Sequence, residues 1–271
     1  LAEKCITKKL QVSTDLIQEG DVASRFLVVV SGTIRLKKKI KGKIVAVKKM
    51  KTGDFIGQES FFGQLQWEYT VSCSSNCVIL ELDTSADSVR QLSDKLKKDI
   101  TEYAITEILY QIIGNERVDE TWFRKLISDV RIIELNEGEV VFESDSKSTS
   151  LFYIINGIVE IYYQTLEEEI LIGNAESEDY FGEIGAYNQR NQIYKAKTIR
   201  KSLLLEIPNE HFFKIIRINE SLNKLLSDRI TEYSNEVRKM EYSADKEHEE
   251  DDRINISKGA FNGVKKFPWL R

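Results

Sequence analysis

The stretch Phe26-Leu-Val-Val-Val-Ser-Gly-Thr-Ile-Arg-Leu36 recurs later in the chain as Leu151-Phe-Tyr-Ile-Ile-Asn-Gly-Ile-Val-Glu-Ile161. A second pair of segments, Asp54-Phe-Ile-Gly-Gln58 and Asp179-Tyr-Phe-Gly-Glu183, also matches. In both pairs, the residue numbers of the two copies differ by 125. Two matches at one offset indicate a duplicated domain. A unit of this length is within the usual size range of a compact domain with its own core.

Short apolar runs punctuated by glycine predict antiparallel β-strands in both copies. After each set of strands, apolar residues recur at helical spacing. These residues are Val89, Leu92, Leu96, Ile100, Tyr103 and Leu109 in the first copy, and Phe212, Ile215, Ile216, Leu222, Leu225, Leu226, Ile230, Tyr233 and Val237 in the second. The sequence therefore predicts a mainly β fold with flanking helices, in which two tandem barrels or jelly rolls are each followed by α-helices.

The predicted domain limits follow from the repeat and from the stop signals around it. Gly114-Asn115 predicts the end of a helix, which gives a first domain at 1–115 and a second at 116–240. The remainder, 241–271, is predicted to be a charged tail that does not fold alone. Its last part, Ile254–Arg271, carries isolated apolar and aromatic residues, and we interpret it as a tether with anchors for a protein partner.

Composition and motifs exclude several classes of protein. The formal net charge of −5 does not favour nucleic acid as a partner, and no apolar run approaches the length of a membrane span. Three cysteines, an odd number, indicate reduced thiols in a cytoplasmic compartment. The two histidines, His211 and His248, have no nucleophilic partner in a recognisable frame, and no metal-spaced cluster appears. We therefore expect a protein without catalytic residues or a metal, not an enzyme.

The segment Phe181-Gly-Glu-Ile-Gly185 predicts a glycine turn that opens a short helix. Backbone N–H groups converge at such a turn and attract anions, above all phosphate. Glycine lets a ligand approach the backbone closely, and the carboxylate of Glu183 suits a sugar hydroxyl. The turn is therefore a candidate site for a sugar phosphate.

In this turn the sequence resembles the cyclic-nucleotide-binding domain family, which includes the regulatory subunits of protein kinase A and catabolite activator protein. The resemblance covers roughly residues 8–113 and 118–238. It implies two tandem eight-stranded jelly-roll barrels, each with a phosphate-binding cassette of the form Phe-Gly-Glu-x-Ala-Leu followed by Pro-Arg-Ala-Ala-Thr-Val. In the family the glycine and the following amides hold the cyclic phosphate, the glutamate binds the ribose 2′-hydroxyl, and the arginine pairs with the phosphate.

The first copy departs from this pattern at both charged positions. Gly57 is kept, but Gln58 replaces the family glutamate and Trp67 replaces the family arginine at the same spacing. An indole offers the phosphate no positive charge, and an arginine–phosphate pair is a strong, charge-assisted contact. The first cassette is expected to be inactive toward cyclic nucleotides.

The second copy keeps more of the family pattern. The resemblance implies a ligand set of Phe181, Gly182, Glu183, Ile184, Gly185, Lys195 and Thr198. Here Lys195 stands for the family arginine, after a segment three residues longer than in the first copy, and Arg190 within it is a possible substitute contact with the phosphate. Cyclic AMP or cyclic GMP is expected to bind weakly or with altered specificity. The alternative is that Glu183 caps the amides of its own turn and that the pocket stays empty.

A lysine-rich segment is the other candidate interaction site. Nine cations and no acid lie between Arg35 and Lys51, and Gly42 lies where a hairpin would turn. The Lys37–Lys51 hairpin is either a solvated surface element or a docking element for an acidic protein surface, a polyanion or a membrane headgroup layer.

The sequence is consistent with two alternative functions. In the first, the protein is a non-catalytic regulatory module in which the second cassette senses a cyclic nucleotide or another small anion and moves its trailing helix, Glu210 to Met240. In the second, it is a structural or adaptor subunit of a larger assembly, such as a cytoskeletal one, that has lost ligand binding and docks through the hairpin and the tail.

Overall fold

The computed structural model describes residues 5–40, 42–62, 65–85, 88–89, 92–114, 116–165, 168–233 and 235. The chain divides into two compact units between Ile108 and Leu109, which we call unit 1 and unit 2. The domain limits expected from the sequence, 1–115 and 116–240, remain a proposal. The expected tail, 241–271, lies outside the described residues, and so does the Ile254–Arg271 tether within it.

The described residues of unit 1 form eight strands in two four-stranded antiparallel sheets. The strands are β1 (Ile6–Leu10), β2 (Asp15–Ile17), β3 (Arg25–Ser31), β4 (Ile34–Ile40), β5 (Lys43–Met50), β6 (Phe55–Ile56), β7 (Thr70–Cys73) and β8 (Cys77–Asp83). One sheet has the order β1-β8-β3-β6 and the other β2-β7-β4-β5. A 3-10 helix, Gln58–Phe62, follows β6.

Unit 2 repeats this arrangement strand for strand. Its strands are β9 (Arg131–Leu135), β10 (Val140–Phe142), β11 (Ser150–Asn156), β12 (Ile158–Gln164), β13 (Glu169–Glu176), β14 (Tyr180–Phe181), β15 (Tyr194–Thr198) and β16 (Ser202–Pro208). The sheet orders are β9-β16-β11-β14 and β10-β15-β12-β13, so each strand takes the place of the strand eight before it. The predicted mainly β fold of two tandem eight-stranded jelly rolls with helices is confirmed.

The glycine at the centre of the repeated stretch is required by close packing in both units. Gly32 and Gly157 have φ of +90° and +130°, a conformation that residues with a side chain rarely adopt. A Cβ at Gly32 would lie 2.9 Å from Cys77 Cα, and one at Gly157 would lie 2.8 Å from Ser202 Cα. The turn can therefore pass against the last strand of each barrel only with glycine, which explains why this residue recurs at the repeat offset.

The longer described helices are α1 (Asp94–Ile113), α2 (Glu120–Asp129), α3 (Glu183–Asn188), α4 (Asn209–Ile218) and α5, which spans 220–233. The expected continuous helix from Glu210 to Met240 is wrong in one respect: it is interrupted at Asn219, and its end lies outside the described residues. The side-chain oxygen of Asn219 accepts a hydrogen bond from the Leu222 N–H, so it caps α5. Among the described residues, no helix combines the length and the apolar character needed to cross a membrane.

Aromatic rings fill the interior of the unit 2 barrel. Phe152 and Phe181 stack with centroids 5.2 Å apart, and Phe142 lies 5.5 Å from the ring of Tyr194. Helix α5 adds Tyr233, whose ring centroid is 5.8 Å from that of Tyr194 and whose side chain is 1% exposed. The last described helix is therefore part of the core of the barrel.

The burial of the unit 1 thiols predicts their reactivity. Cys73 and Cys77 are buried, and burial together with a hydrogen bond to Cys77 raises the pKa of Cys73 to about 12. Since the thiolate is the reactive form, iodoacetamide at pH 7.5 is expected to modify half-buried Cys5 well before either of the others. Peptide mapping by mass spectrometry measures this, with urea-unfolded protein as the fully reactive control. Rapid alkylation of Cys73 in the native protein would contradict the expectation.

Candidate functional site

The glycine turn of unit 2 connects β14 to α3. Gly182 has a φ of +85°, and its N–H donates a hydrogen bond to the Tyr194 hydroxyl oxygen at 2.6 Å. A Cβ at Gly185 would lie 2.7 Å from Ser148 Cβ, so this position tolerates no side chain. All residues from Phe181 to Gly185 are buried. The structure therefore brings these five predicted residues together in one tightly packed turn.

Glu183 lies inside this turn with its carboxylate against Tyr194. The Tyr194 hydroxyl donates to Glu183 Oε2 at 3.4 Å. Burial raises the pKa of Glu183, and the nearby Arg229 guanidinium opposes that shift. The turn amide of Gly182 and the carboxylate thus share one partner, the hydroxyl of Tyr194, which sequence reasoning did not identify.

Arg229 on α5 ties that helix to the strand that leads into the turn. Its guanidinium donates to the Tyr180 carbonyl oxygen at 3.0 Å and to Asp179 Oδ1 at 3.3 Å. Burial raises the pKa of Asp179, and the Arg229 guanidinium offsets only part of this rise. The signal for Arg229 in the sequence was a cation within the apolar stripe of a helix, four residues before Tyr233.

Strand register fixes which residues of the two units correspond. Leu36 pairs with Val71 in unit 1, and Ile161 pairs with Ala196 in unit 2. An isolated bridge joins Val22 to Gln66 in unit 1, and another joins Lys147 to Asn191 in unit 2. Both residues of each unit 2 pair lie 125 positions after those of the matching unit 1 pair, so Trp67 corresponds to Gln192. The expected three-residue insertion before Lys195 is wrong. Gln192 corresponds to Trp67 without any insertion, and Lys195 lies three residues after Gln192, in β15.

Gln192 occupies the centre of the unit 2 site. It is 2% exposed, and its Nε2 donates to Ser148 Oγ at 3.2 Å and to the Gly182 carbonyl oxygen at 3.4 Å. Its Oε1 has no hydrogen-bond partner among the described residues. A neutral amide, not a cation, therefore lies against the glycine turn.

The other predicted contacts of unit 2 are Lys195, Thr198 and Arg190. Lys195 Nζ forms ion pairs with Glu169 at 3.0 Å and Glu143 at 3.7 Å. Tyr194 and Lys195 are neighbours on one strand, so their side chains lie on opposite faces of the sheet. Thr198 is buried and donates to the Asn136 carbonyl oxygen at 2.6 Å. The Arg190 N–H donates to the Gly185 carbonyl oxygen at 3.1 Å, so its backbone lies at the turn, but its side chain is exposed. The structure does not gather the side chains of Lys195 and Thr198 around Glu183.

In unit 1 the corresponding turn is closed by an indole. Gly57 has a φ of +90°, and a Cβ there would lie 2.6 Å from the ring of buried Trp67. Gln58 begins the 3-10 helix, in which Ser60 Oγ donates to the Gly57 carbonyl oxygen at 2.6 Å. Trp67 thus packs directly on the glycine at which a cassette would approach its ligand.

Two carboxyl groups lie close together at this first site. Burial raises the pKa of Glu59, and the neighbouring Glu68 carboxylate adds to the shift. Glu68 lies 3.8 Å from the Lys38 ammonium. The Lys48 ammonium opposes the shift at Glu59, so carboxyl groups and lysines both lie near this site.

A separate acidic cluster in unit 2 joins two helices. Asp129, Glu210 and His211 have ligand atoms within 4.8 Å of one another. The Lys125 ammonium lies 3.1 Å from Glu210 and 3.5 Å from Asp129, and His211 Nε2 lies 2.8 Å from Asp129 Oδ2. The hydrogen bond from His211 lowers the pKa of Asp129. The cluster is therefore an ion-paired link between α2 and α4, with a lysine in the position that a cation would need.

Curated relatives match part of the chain. The potassium channel AKT2/3 of Arabidopsis thaliana is 24% identical over 135 residues, which is 50% of this chain and 17% of the channel. The probable potassium channel AKT5 of the same plant is 18% identical over 145 residues, 54% of this chain and 16% of that protein. The match thus spans less than a fifth of the length of these two relatives.

Solved structures match most of the chain. The regulatory domain of Toxoplasma gondii PKA with cAMP is 20% identical, with a TM-score of 0.43 and coverage of 85% of this chain and 87% of that one. The regulatory subunit of a cAMP-independent protein kinase A from Trypanosoma cruzi bound to guanosine is 17% identical, with a TM-score of 0.42 and coverage of 88% and 83%.

The sequence model of the cyclic nucleotide-binding domain matches twice, at residues 7–94 and 132–219. These two segments make up more than half of the chain, and each spans one of the two barrels described above. The chain therefore belongs to the cyclic nucleotide-binding domain family and carries two copies of that domain in tandem.

Proposed function

We propose that the protein is a non-catalytic regulatory module in which neither cassette reads the charge of a cyclic phosphate. One observation carries this proposal: an uncharged side chain, Trp67 or Gln192, lies against the glycine turn at the matching position of each unit. The hydrogen bonds of a charged group contribute about 1.5–3 kcal/mol each. Without such a cation, the charge of the ligand is uncompensated in both units.

The first cassette is inactive in this proposal. A cyclic nucleotide would have to displace the Trp67 indole from Gly57 and place its phosphate near Glu59 and Glu68. Burying an unpaired charge is costly, and two carboxyl groups increase that cost.

The second cassette keeps groups that suit a sugar. Glu183 is a buried acceptor, Gln192 Oε1 lacks a partner among the described residues, and so does the Tyr233 hydroxyl. The Gly182 amide, in contrast, is already bonded to Tyr194. A cyclic phosphate fits this set poorly, whereas ribose hydroxyls match it. We therefore propose weak binding in unit 2, with little preference for cyclic AMP or cyclic GMP over the corresponding nucleosides.

Thermal unfolding in the presence of ligand tests this function. The full chain is titrated to 1 mM with cyclic AMP, cyclic GMP, adenosine and guanosine, with ribose-free adenine as the control. A dissociation constant of about 0.1 mM would stabilise the protein by about 1.4 kcal/mol at that concentration. We expect comparable stabilisation by a nucleoside and its cyclic nucleotide. The absence of stabilisation by all four would contradict a ligand-sensing role.

The second candidate function is an adaptor subunit that binds no small ligand. It is favoured by the packing of Tyr194 and Tyr233 within the unit 2 barrel, where they occupy interior space. Such a subunit would use the Lys37–Lys51 hairpin and the Ile254–Arg271 segment as contacts in a cytoplasmic or cytoskeletal assembly. Loss of partners from pulled-down complexes on deletion of 243–271, together with a flat ligand titration, would favour the adaptor over the sensor.

A further inference from the structure

The hairpin formed by β4 and β5 ends one sheet of unit 1. β5 is the last strand in the order β2-β7-β4-β5, and it pairs with β4 from Ile34–Met50 to Ile40–Lys43. Seven of its eight residues are exposed, Met50 being the exception. Among the described residues, no strand pairs with the outer edge of β5, which therefore presents a row of backbone donors and acceptors.

The side chains on this strand combine two chemistries. Ile44, Val45 and Val47 are 75%, 43% and 44% exposed, which is unusual for branched apolar residues on an open edge. Lysines surround them, and among the described residues those with exposed side chains are Lys39, Lys43, Lys48, Lys49 and Lys51. Lysine protects an edge from self-pairing, but it also attracts acidic partners.

We propose that the outer edge of β5 binds an acidic, extended peptide segment of a partner protein by strand addition. The backbone row supplies main-chain hydrogen bonds, the lysines select Asp and Glu, and the exposed Ile44 packs against apolar residues of the incoming strand. A polyanion or a lipid headgroup would use the lysines but would leave the backbone edge and the apolar side chains uncovered. This inference goes beyond the proposed ligand-sensing role and does not depend on the state of either cassette.

The test uses the full chain and a synthetic ten-residue peptide that alternates Glu or Asp with Val or Ile. Binding is measured by fluorescence anisotropy at 50 and 300 mM NaCl. Matched probes are the same peptide with alternate amides N-methylated, a polyglutamate of equal length, and a heparin fragment. The variant Lys43→Glu/Lys49→Glu is compared with Lys95→Glu/Lys98→Glu on α1, which makes the same change in net charge at exposed positions.

We expect N-methylation to weaken binding by about tenfold or more, because it removes the main-chain hydrogen bonds. The hairpin variant should lose about tenfold and the α1 variant less than about twofold, and higher salt should weaken binding. Ile44→Thr should weaken the peptide but not polyglutamate. Equal binding of the N-methylated peptide, equal binding of heparin, failure of the peptide to bind at 1 mM, or pairing of two copies of the chain through β5 in sedimentation would each overturn the proposal.

Discussion

Replacing Gln192 with arginine is expected to increase the affinity of unit 2 for cyclic AMP by about tenfold to about 150-fold. The Gln192 side chain already lies within hydrogen-bond distance of the Gly182 carbonyl, beside the turn at which a cyclic phosphate would bind. An arginine there would supply the missing charge as a planar, two-pronged donor. The gain corresponds to about 1.5–3 kcal/mol for a charged hydrogen-bonding group, at 1.4 kcal/mol for each factor of ten.

Calorimetric titration of Gln192→Arg with cyclic AMP and with adenosine measures this effect. The affinity for adenosine should change little, because the new side chain acts on the phosphate. Lys195→Gln serves as the control, since Lys195 pairs with Glu169 and Glu143 away from the turn. A large loss of cyclic AMP binding in Lys195→Gln, with no gain in Gln192→Arg, would show that the register assigned to the two units is not the functional one.

Replacing Tyr233 with alanine is expected to lower the free energy of unfolding of unit 2 by about 3–5 kcal/mol, the range for removing a large buried aromatic ring. The Tyr233 ring lies in the barrel interior against Tyr194. Urea denaturation followed by circular dichroism measures the loss. Leu225→Ala, on the same helix and 46% exposed, is the matched control and should cost about 0.5 kcal/mol or less.

The hydroxyl and the ring of Tyr233 can be separated experimentally. The hydroxyl has no hydrogen-bond partner among the described residues, so Tyr233→Phe should leave the stability unchanged or raise it slightly. A cost below about 1 kcal/mol for Tyr233→Ala would mean that α5 does not pack into the barrel as described.

In the proposed regulatory role, Tyr233 and Arg229 link the site to helix α5. The Tyr233 hydroxyl, which has no hydrogen-bond partner among the described residues, is one of the groups proposed to bind a ribose. Arg229 joins the same helix to the strand before the glycine turn. In that role, ligand binding and the position of α5 are coupled, because this helix carries one of the groups that contact the ribose.

The fold was predictable from the sequence because its strongest packing constraint requires one residue type, glycine, in both copies. Gly32 and Gly157 are needed at a close backbone approach, so they recur with their flanking strands at one offset. The glycine turn at Gly182 was predictable for the same reason. Side chains that come from distant elements were not: Arg229 and Tyr233 reach the site from a helix whose docking depends on tertiary packing.

The position that corresponds to the family arginine was mispredicted from the sequence for a different reason. The residues around Lys195 resemble the family motif. Aligning Lys195 with the family arginine requires an insertion that the strand register excludes. The repeat offset itself leads to Gln192. Backbone pairing constrains the chain at every residue of a strand, so a constant offset is a more reliable guide than a short match of residue types.

The most direct test of the account is calorimetric titration of the unmodified chain with cyclic AMP and adenosine under identical conditions. If neither cassette reads the phosphate charge, the two dissociation constants should agree within about threefold, a difference below 1 kcal/mol. A preference for cyclic AMP of about 100-fold or more would require a cation at the glycine turn and would contradict the assignment of Trp67 and Gln192.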